Sequence, residues 1–259
     1  MRSLNTSATG MVAQQVNLDV IANNLANVNT TAFKHQRAEF QDLMYQTVQA
    51  AGSFAGENQK TPSAIQLGLG VRNSSTAADF AQGAALSTGN PTDMMIMGEG
   101  FFRVLRPDGS TGYTRDGSFR PDENGLLVNA DGYPLQPPIT IPPNATVVSI
   151  SADGTVEATV DGVNAPVDRI TLATFANPTG LTRAGQNLYS ASAASGAENV
   201  VPAESGGAGA IRAAHLEGSN VQIVEEMVRM IQAQRAYEIN SKAIQTSDEM
   251  LSTMNGLKR

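Results

Sequence analysis

SNVQIVEEMVRMIQAQRAYEINSKAIQTSDEMLSTMNGLKR, residues 219–259, is the stretch whose reading decides the fold. Ile223, Met230, Tyr237, Ile244 and Leu251 stand seven residues apart, all apolar or aromatic, and no Gly or Pro interrupts the run before Gly256. Seven residues are nearly two turns of α-helix, so these side chains form one continuous stripe. The positions four further on (Met227, Gln234, Ser241, Asp248) drift towards polar, which keeps the stripe narrow. Such a helix meets a few neighbours rather than sinking into a core. Ser219-Asn220-Val221-Gln222 fits a capping box, and Glu225 and Glu226 place negative charge near the first turn.

The other end of the chain repeats the pattern. Leu4, Met11, Leu18 and Leu25 are also seven apart, with Ala8, Gln15 and Ala22 four residues after the first three. Residues 4–28 therefore read as a second helix. A stripe this narrow is only marginally stable alone, so the two end helices are expected to pack on each other or on copies in other molecules. Spacing alone favours the intramolecular hairpin over a wall shared between molecules. Four Asn crowd the end of the first helix, at 23, 24, 27 and 29. Their side chains can bond local backbone or a neighbouring chain, the plainer alternative being a fraying terminus.

Charge separates the ends from the middle. Residues 1–30 carry only Arg2 and Asp19, and residues 219–259 carry five basic and five acidic side chains, so both ends are neutral. The net −7 of the 259-residue chain therefore sits in residues 31–218. Neutral ends can crowd together without repulsion while an acidic middle stays solvated. This marks the ends as an assembly region and the middle as an outward face, and it argues against a general nucleic-acid binder. No run of about 20 apolar residues predicts a membrane-spanning helix. The N-terminus, with Asn5, Thr6, Ser7 and Thr9 close behind Arg2, has no compact apolar core of a secretory signal.

The middle reads as β. After a short amphipathic pattern at 36–48 (Phe40, Leu43, Met44, Val48), which suits a helix, residues 49–63 are small and polar, a loop or extended arm. Ile65, Leu67, Leu69 and Val71 alternate as a strand does. From about 95 to 215, Asp-Gly recurs at 108–109, 116–117, 131–132, 153–154 and 161–162, with Asn124-Gly125 as a further turn signal. Strand-like runs at 101–105, 146–150, 155–160 and 169–175 lie between them, which predicts a sandwich or irregular barrel. Residues 191–210, rich in Ala, Ser and Gly, read as a surface loop. The expected class is α+β: a helical assembly domain from 1–35 with 216–259, a connecting segment at 36–70, and a β-rich outer domain at 71–215.

Signals for chemistry are weak. The chain has no Cys, and its two His, His35 and His215, show no metal-ligand spacing. No Gly-x-Ser-x-Gly element supports a nucleophile. Gly98-Glu99-Gly100 lacks the Lys-Ser/Thr of a phosphate loop and precedes a strand-like Phe101-Phe102, so it reads as a turn. The scattered acidic turn tips lack the alternating ligands of a calcium loop. The expectation is no catalytic residue, no metal and no cofactor.

Three segments carry a resemblance. LDVIANNLANVNTTAFK at 18–34 resembles the N-terminal signature of bacterial flagellar rod and hook proteins. MGEGFFRV at 97–104 resembles the element that opens that family's β domain, and RAYEINSKAIQTSDEML at 235–251 resembles its C-terminal helix in the version of distal-rod members. Hook proteins carry a larger outer insertion that this chain lacks. The resemblance implies a non-enzymatic subunit of the distal rod, polymerised through its end helices as a coiled-coil-like layer into a torque-bearing tube. The expected interface is Leu4, Met11, Leu18, Leu25, Ile223, Met230, Tyr237, Ile244 and Leu251. It also implies export through the flagellar type III channel without a cleaved signal. The implied place is the periplasm-spanning basal body, with the subunit itself, proximal rod proteins, hook protein and P- and L-ring proteins as partners, and neither nucleic acid nor membrane insertion. Ends that order only on assembly are expected as well. The competing readings are a proximal rod subunit and, from a different class, a secreted β-domain enzyme or adhesin trimerised by its helices.

Overall fold

The computed structural model describes residues 2–51, 54–56, 59–60, 63–160 and 163–256, with Arg2 and residues 54–56 and 59–60 described by their backbone alone. The chain is α+β, with a helix at each end and a mainly β middle. It divides into two compact units, one of residues 1–26, 36–77 and 222–259, the other of residues 27–35 and 78–221.

The first unit holds both helices, α1 (Arg2–Ala26) and α2 (Ile223–Gly256). They pack antiparallel: Asn24 near the end of α1 meets Glu226 near the start of α2, and Gly10 faces Asn240. The helix α2 begins after the expected capping box. Ser219 Oγ instead accepts a hydrogen bond from the Val221 amide in the turn before it, so the box does not form. Antiparallel strand pairs accompany the helices. Gln36–Asp42 pairs with Val71–Ala78, and Tyr45–Gln49 pairs with Ile65–Gly68.

The helix read at 36–48 is therefore two strands. Its apolar spacing suited a helix, but Phe40, Met44 and Val48 face solvent and supply no buried face to hold one. Backbone pairing and cross-strand contacts decide instead, among them Arg72 Nη2 donating to Gln41 Oε1 at 2.9 Å and Ser75 Oγ to Glu39 Oε2 at 2.8 Å. The arm at 49–63 lies partly outside the described residues; within it, Phe54–Gly56 pairs with Gln59–Lys60 as a short hairpin.

The second unit is built on a six-stranded antiparallel sheet. Its order is Thr182–Gly185, Leu188–Ser190, Thr111–Thr114, Phe101–Leu105, Thr171–Thr174, Asn199–Pro202. A three-stranded antiparallel meander, Ala145–Ile150, Thr155–Val160 and Val163–Arg169, lies beside smaller pairs in the same unit. Alternation along Phe101–Leu105 puts side chains on both faces of the sheet. Phe102 and Val104 enter the main core with Met94, Ile96, Phe119 and Leu172, while Phe101 joins Tyr113, Phe175 and Tyr189 on the other side. Edge-to-face ring contacts at 5.4 Å (Phe102–Phe119) and 4.8 Å (Tyr113–Phe175) lock the two clusters.

The Asp-Gly turns form at Gly109, Gly132 and Gly154, each with φ between 81° and 86°. Gly117 serves otherwise: a Cβ there would collide with the Met94 carbonyl. The turn at 161–162 lies outside the described residues. Residues 191–210 are not a surface loop throughout. Asn199–Pro202 is an edge strand of the large sheet, and Ser195, Ala203 and Ala208 are buried, because small side chains let the backbone run close against the core.

Candidate assembly surface

The Asn-rich end of α1 is ordered by the bonds its side chains make within the chain. Asn24, wholly buried, donates from Nδ2 to the Gln36 carbonyl at 2.8 Å and to Glu226 Oε2 at 3.0 Å, and its Oδ1 accepts from the Gln36 amide at 2.9 Å. Both amide protons and the oxygen are thereby used. Glu226 Oε1 in turn accepts from Arg229 Nη1 at 2.9 Å, one turn along α2. One side chain thus ties the end of α1, the strand after it and the start of α2.

A second polar junction lies in the β-rich unit. Lys34 Nζ donates to Glu217 Oε1 at 2.7 Å and to the Ala81 carbonyl at 2.9 Å, and the Gly83 amide donates to the same carboxylate oxygen at 2.9 Å. Arg115 Nη1 stands 3.7 Å from Glu217 Oε2, and all three side chains are almost wholly buried. Burial pushes the Lys34 ammonium below its usual pKa, with Glu217 opposing that shift, and burial likewise lowers Arg115. Around this trio the segments 32–35 and 217–220 are sewn together. Ala32 N–H donates to the Glu217 carbonyl at 2.8 Å, and His35 N–H donates to Asn220 Oδ1 at 2.7 Å. Ala32 holds the left-handed region at φ 56°, and Arg183 caps Phe33 at 5.2 Å from its ring centre.

The expected interface residues differ in burial. Leu4, Met11, Leu18, Leu25, Met230, Ile244 and Leu251 are half-buried, while Ile223 and Tyr237 are exposed at 47% and 41%. The deepest positions are others: Ala13, Ile21 and Asn24 on α1, Glu226 and Ala233 on α2. For Asn24, Glu226 and Ala233 the sequence carried a signal, a second interval of seven, Gly10–Asn17–Asn24 against Glu226–Ala233–Asn240, made of small and polar residues; Ala13 and Ile21 lie off it.

An apolar stripe that shares Ile223 with the expected interface set stays open. Ile223, Val224, Met227, Val228 and Ile231 step along the first turns of α2 at helical spacing, each about half exposed or more, with Val224 at 75%. Single exposed apolar residues are ordinary, but a contiguous line of five marks an interaction surface. Among the described residues no group of three or more His, Cys, Asp or Glu is placed to hold a metal ion, and no helix is long and apolar enough to cross a membrane.

Comparison with known proteins agrees with this layout. Residues 4–34 match the flagella basal body rod protein family. Residues 95–158 match the D1 domain of the flagellar hook protein FlgE/F/G, and residues 212–257 the C-terminal region of flagellar basal body rod FlgEFG proteins. Over its whole length the chain is 50% identical to the flagellar basal-body rod protein FlgG of Borreliella burgdorferi, covering 99% of that protein. The chain belongs to the flagellar rod and hook family. It is also 45% identical to FlgG of Caulobacter vibrioides, with each protein covered in full. Similarity to the flagellar hook protein FlgE of Helicobacter mustelae is 46% over 143 residues, 30% of that longer protein. Membership makes the chain a structural subunit of the flagellar basal-body rod, not an enzyme. Within this family the terminal signatures fall on α1 and α2, so the matched ends are the parts that carry the open stripe and the buried polar junctions.

Proposed function

We propose that this rod subunit builds the distal rod. Copies polymerise through α1 and α2 into a coiled-coil-like layer, and the resulting open tube carries torque from motor to hook. The assembly region is 1–35 with 216–259, followed by a connecting segment at 36–70, with 71–215 as the β-rich remainder. The carrying observation is the stripe from Ile223 to Ile231, apolar surface that a single copy leaves in water. A repeated head-to-tail contact whose rotation does not close extends without limit, which is the geometry of a shaft. The eight heptad residues other than Ile223 contribute the rest of the interface. Full-length likeness to proteins named FlgG favours the distal rod over other family positions. The partners in this reading are proximal rod proteins, hook protein and the P and L rings, reached after type III export without a cleaved signal.

Electron microscopy of the purified full chain under polymerising conditions tests the reading, with sedimentation alongside. Open filaments of indefinite mass are expected; a closed trimer of fixed mass would refute it.

A further inference from the structure

By spacing, the heptad stripes of α1 and α2 do not choose their own alignment. Met230, Tyr237, Ile244 and Leu251 recur at the same interval as Leu4, Met11, Leu18 and Leu25. Sliding one helix by seven residues therefore exchanges one apolar neighbour for another of the same kind. Something else must select one register.

The small and polar layers between them are not interchangeable. Asn24 meets Glu226 through the 3.0 Å hydrogen bond. Seven residues back along α1 and seven forward along α2, Asn17 and Ala233 line one hollow, and a further seven bring Gly10 against Asn240, whose Nδ2 lies 3.0 Å from where a Cβ would stand. The three layers are thus a carboxylate facing an amide, an amide facing a methyl, and an absent side chain facing an amide. Slipping α2 one way puts Ala233 opposite Asn24 and withdraws the carboxylate from a wholly buried amide. Slipping it the other way leaves Asn24 beyond the first residue of α2. The two bonds to Gln36 hold the Asn24 side chain in place, so its remaining N–H points at one position only.

We propose that Asn24 and Glu226 are the register-determining pair of the α1·α2 hairpin: they select one of several heptad-equivalent alignments rather than supplying its stability. A buried polar contact that fixes register among interchangeable apolar layers is the best attested use of such groups. For a filament the consequence is uniformity, since copies folded in different registers would present the stripe at Ile223–Ile231 at different heights.

Disulfide cross-linking reads the register directly, because the chain has no Cys. The full chain is polymerised, oxidised and run without reductant, scoring links inside one chain. Gly10→Cys with Asn240→Cys reports the observed register, and Asn17→Cys with Asn240→Cys the alignment one heptad away. With Glu226 present, the first pair should link about tenfold or more over the second. Glu226→Leu, which removes the charge but leaves the Asn24–Gln36 bonds, should bring the two yields to within roughly threefold. Glu226→Gln, which still accepts from Asn24, should restore the preference. If Glu226→Leu links only the first pair, the apolar layers set the register and the proposal fails. If it links neither, the pair supplies stability and the proposal fails equally.

Discussion

The helical unit and the β-rich unit differ in how much of their apolar surface they enclose. In the β-rich unit Phe102, Val104, Ile96 and Leu172 are wholly buried, and the aromatic rings on the far face of the sheet close on one another. In the helical unit Val224, Met227 and Ile231 stand in solvent, and the hairpin of Tyr45–Gln49 with Ile65–Gly68 exposes Tyr45, Val48, Ile65 and Leu67. A two-stranded pair that buries no apolar face of its own is marginal in water. The β-rich unit thus encloses two buried clusters, while the helical unit leaves a line of apolar side chains in water, the surface that copies would cover in the proposed rod. An assembling protein is legible from the part that is unfinished alone.

Breaking the buried charge cluster of the β-rich half should cost the most. Glu217→Ala leaves Lys34 and Arg115 buried without their counter-charge, and truncating one partner of a buried pair costs about 3–5 kcal/mol. The denaturant midpoint of the β-rich unit should drop accordingly; a shift under ~1 kcal/mol would mean that water or relaxation already serves the two cations. Next in size is the unfinished half. Val224→Asp or Ile231→Asp should abolish filaments, yet change the melting of the β-rich unit by no more than about 0.5 kcal/mol, as surface substitutions do. Equal loss in both assays would erase the contrast between the units.

Smaller effects sharpen it. Leu18→Ala and Ile244→Ala remove half-buried side chains, so each should raise the critical concentration for assembly by less than the ~2–5 kcal/mol of a full core truncation. Rods that form normally would remove these residues from the interface. At neutral pH the smallest effect belongs to Tyr113, whose hydroxyl donates to Glu198 at 2.9 Å. Burial first, then that bond, push its pKa from 10.0 to about 12. The folded state therefore keeps a proton that the unfolded chain loses, and the stabilisation is present below pH 10 and lost as pH rises towards 12. Tyr113→Phe should flatten that alkaline limb of the unfolding curve, while leaving assembly at neutral pH unchanged.

Both helices, the β character of the middle and most of its turns were legible because each rests on a local rule: a seven-residue interval, an alternation, an Asp-Gly pair. The places where reading failed were those where two rules competed. At 36–48 the spacing of Phe40, Leu43, Met44 and Val48 satisfied a helix, but a partner strand at Val71–Ala78 was available to take the backbone bonds. At 191–210 small residues looked like loop, and their smallness instead let Asn199–Pro202 pair at a sheet edge.

For the assembly surface, the residue pattern alone determined that two neutral, narrow-striped helices lie at the ends of an acidic β-rich chain. The periodicity of a helix is a property of the backbone itself and survives without knowledge of neighbours. Only the tertiary structure decided which line of the helix is deepest, that Asn24 reaches Glu226 across 202 residues of sequence and Lys34 reaches Glu217 across 183, and that Val224 remains uncovered. A buried polar side chain is tolerable only once its partner has arrived, and which distant residue arrives is a matter of packing in three dimensions rather than of spacing along the chain.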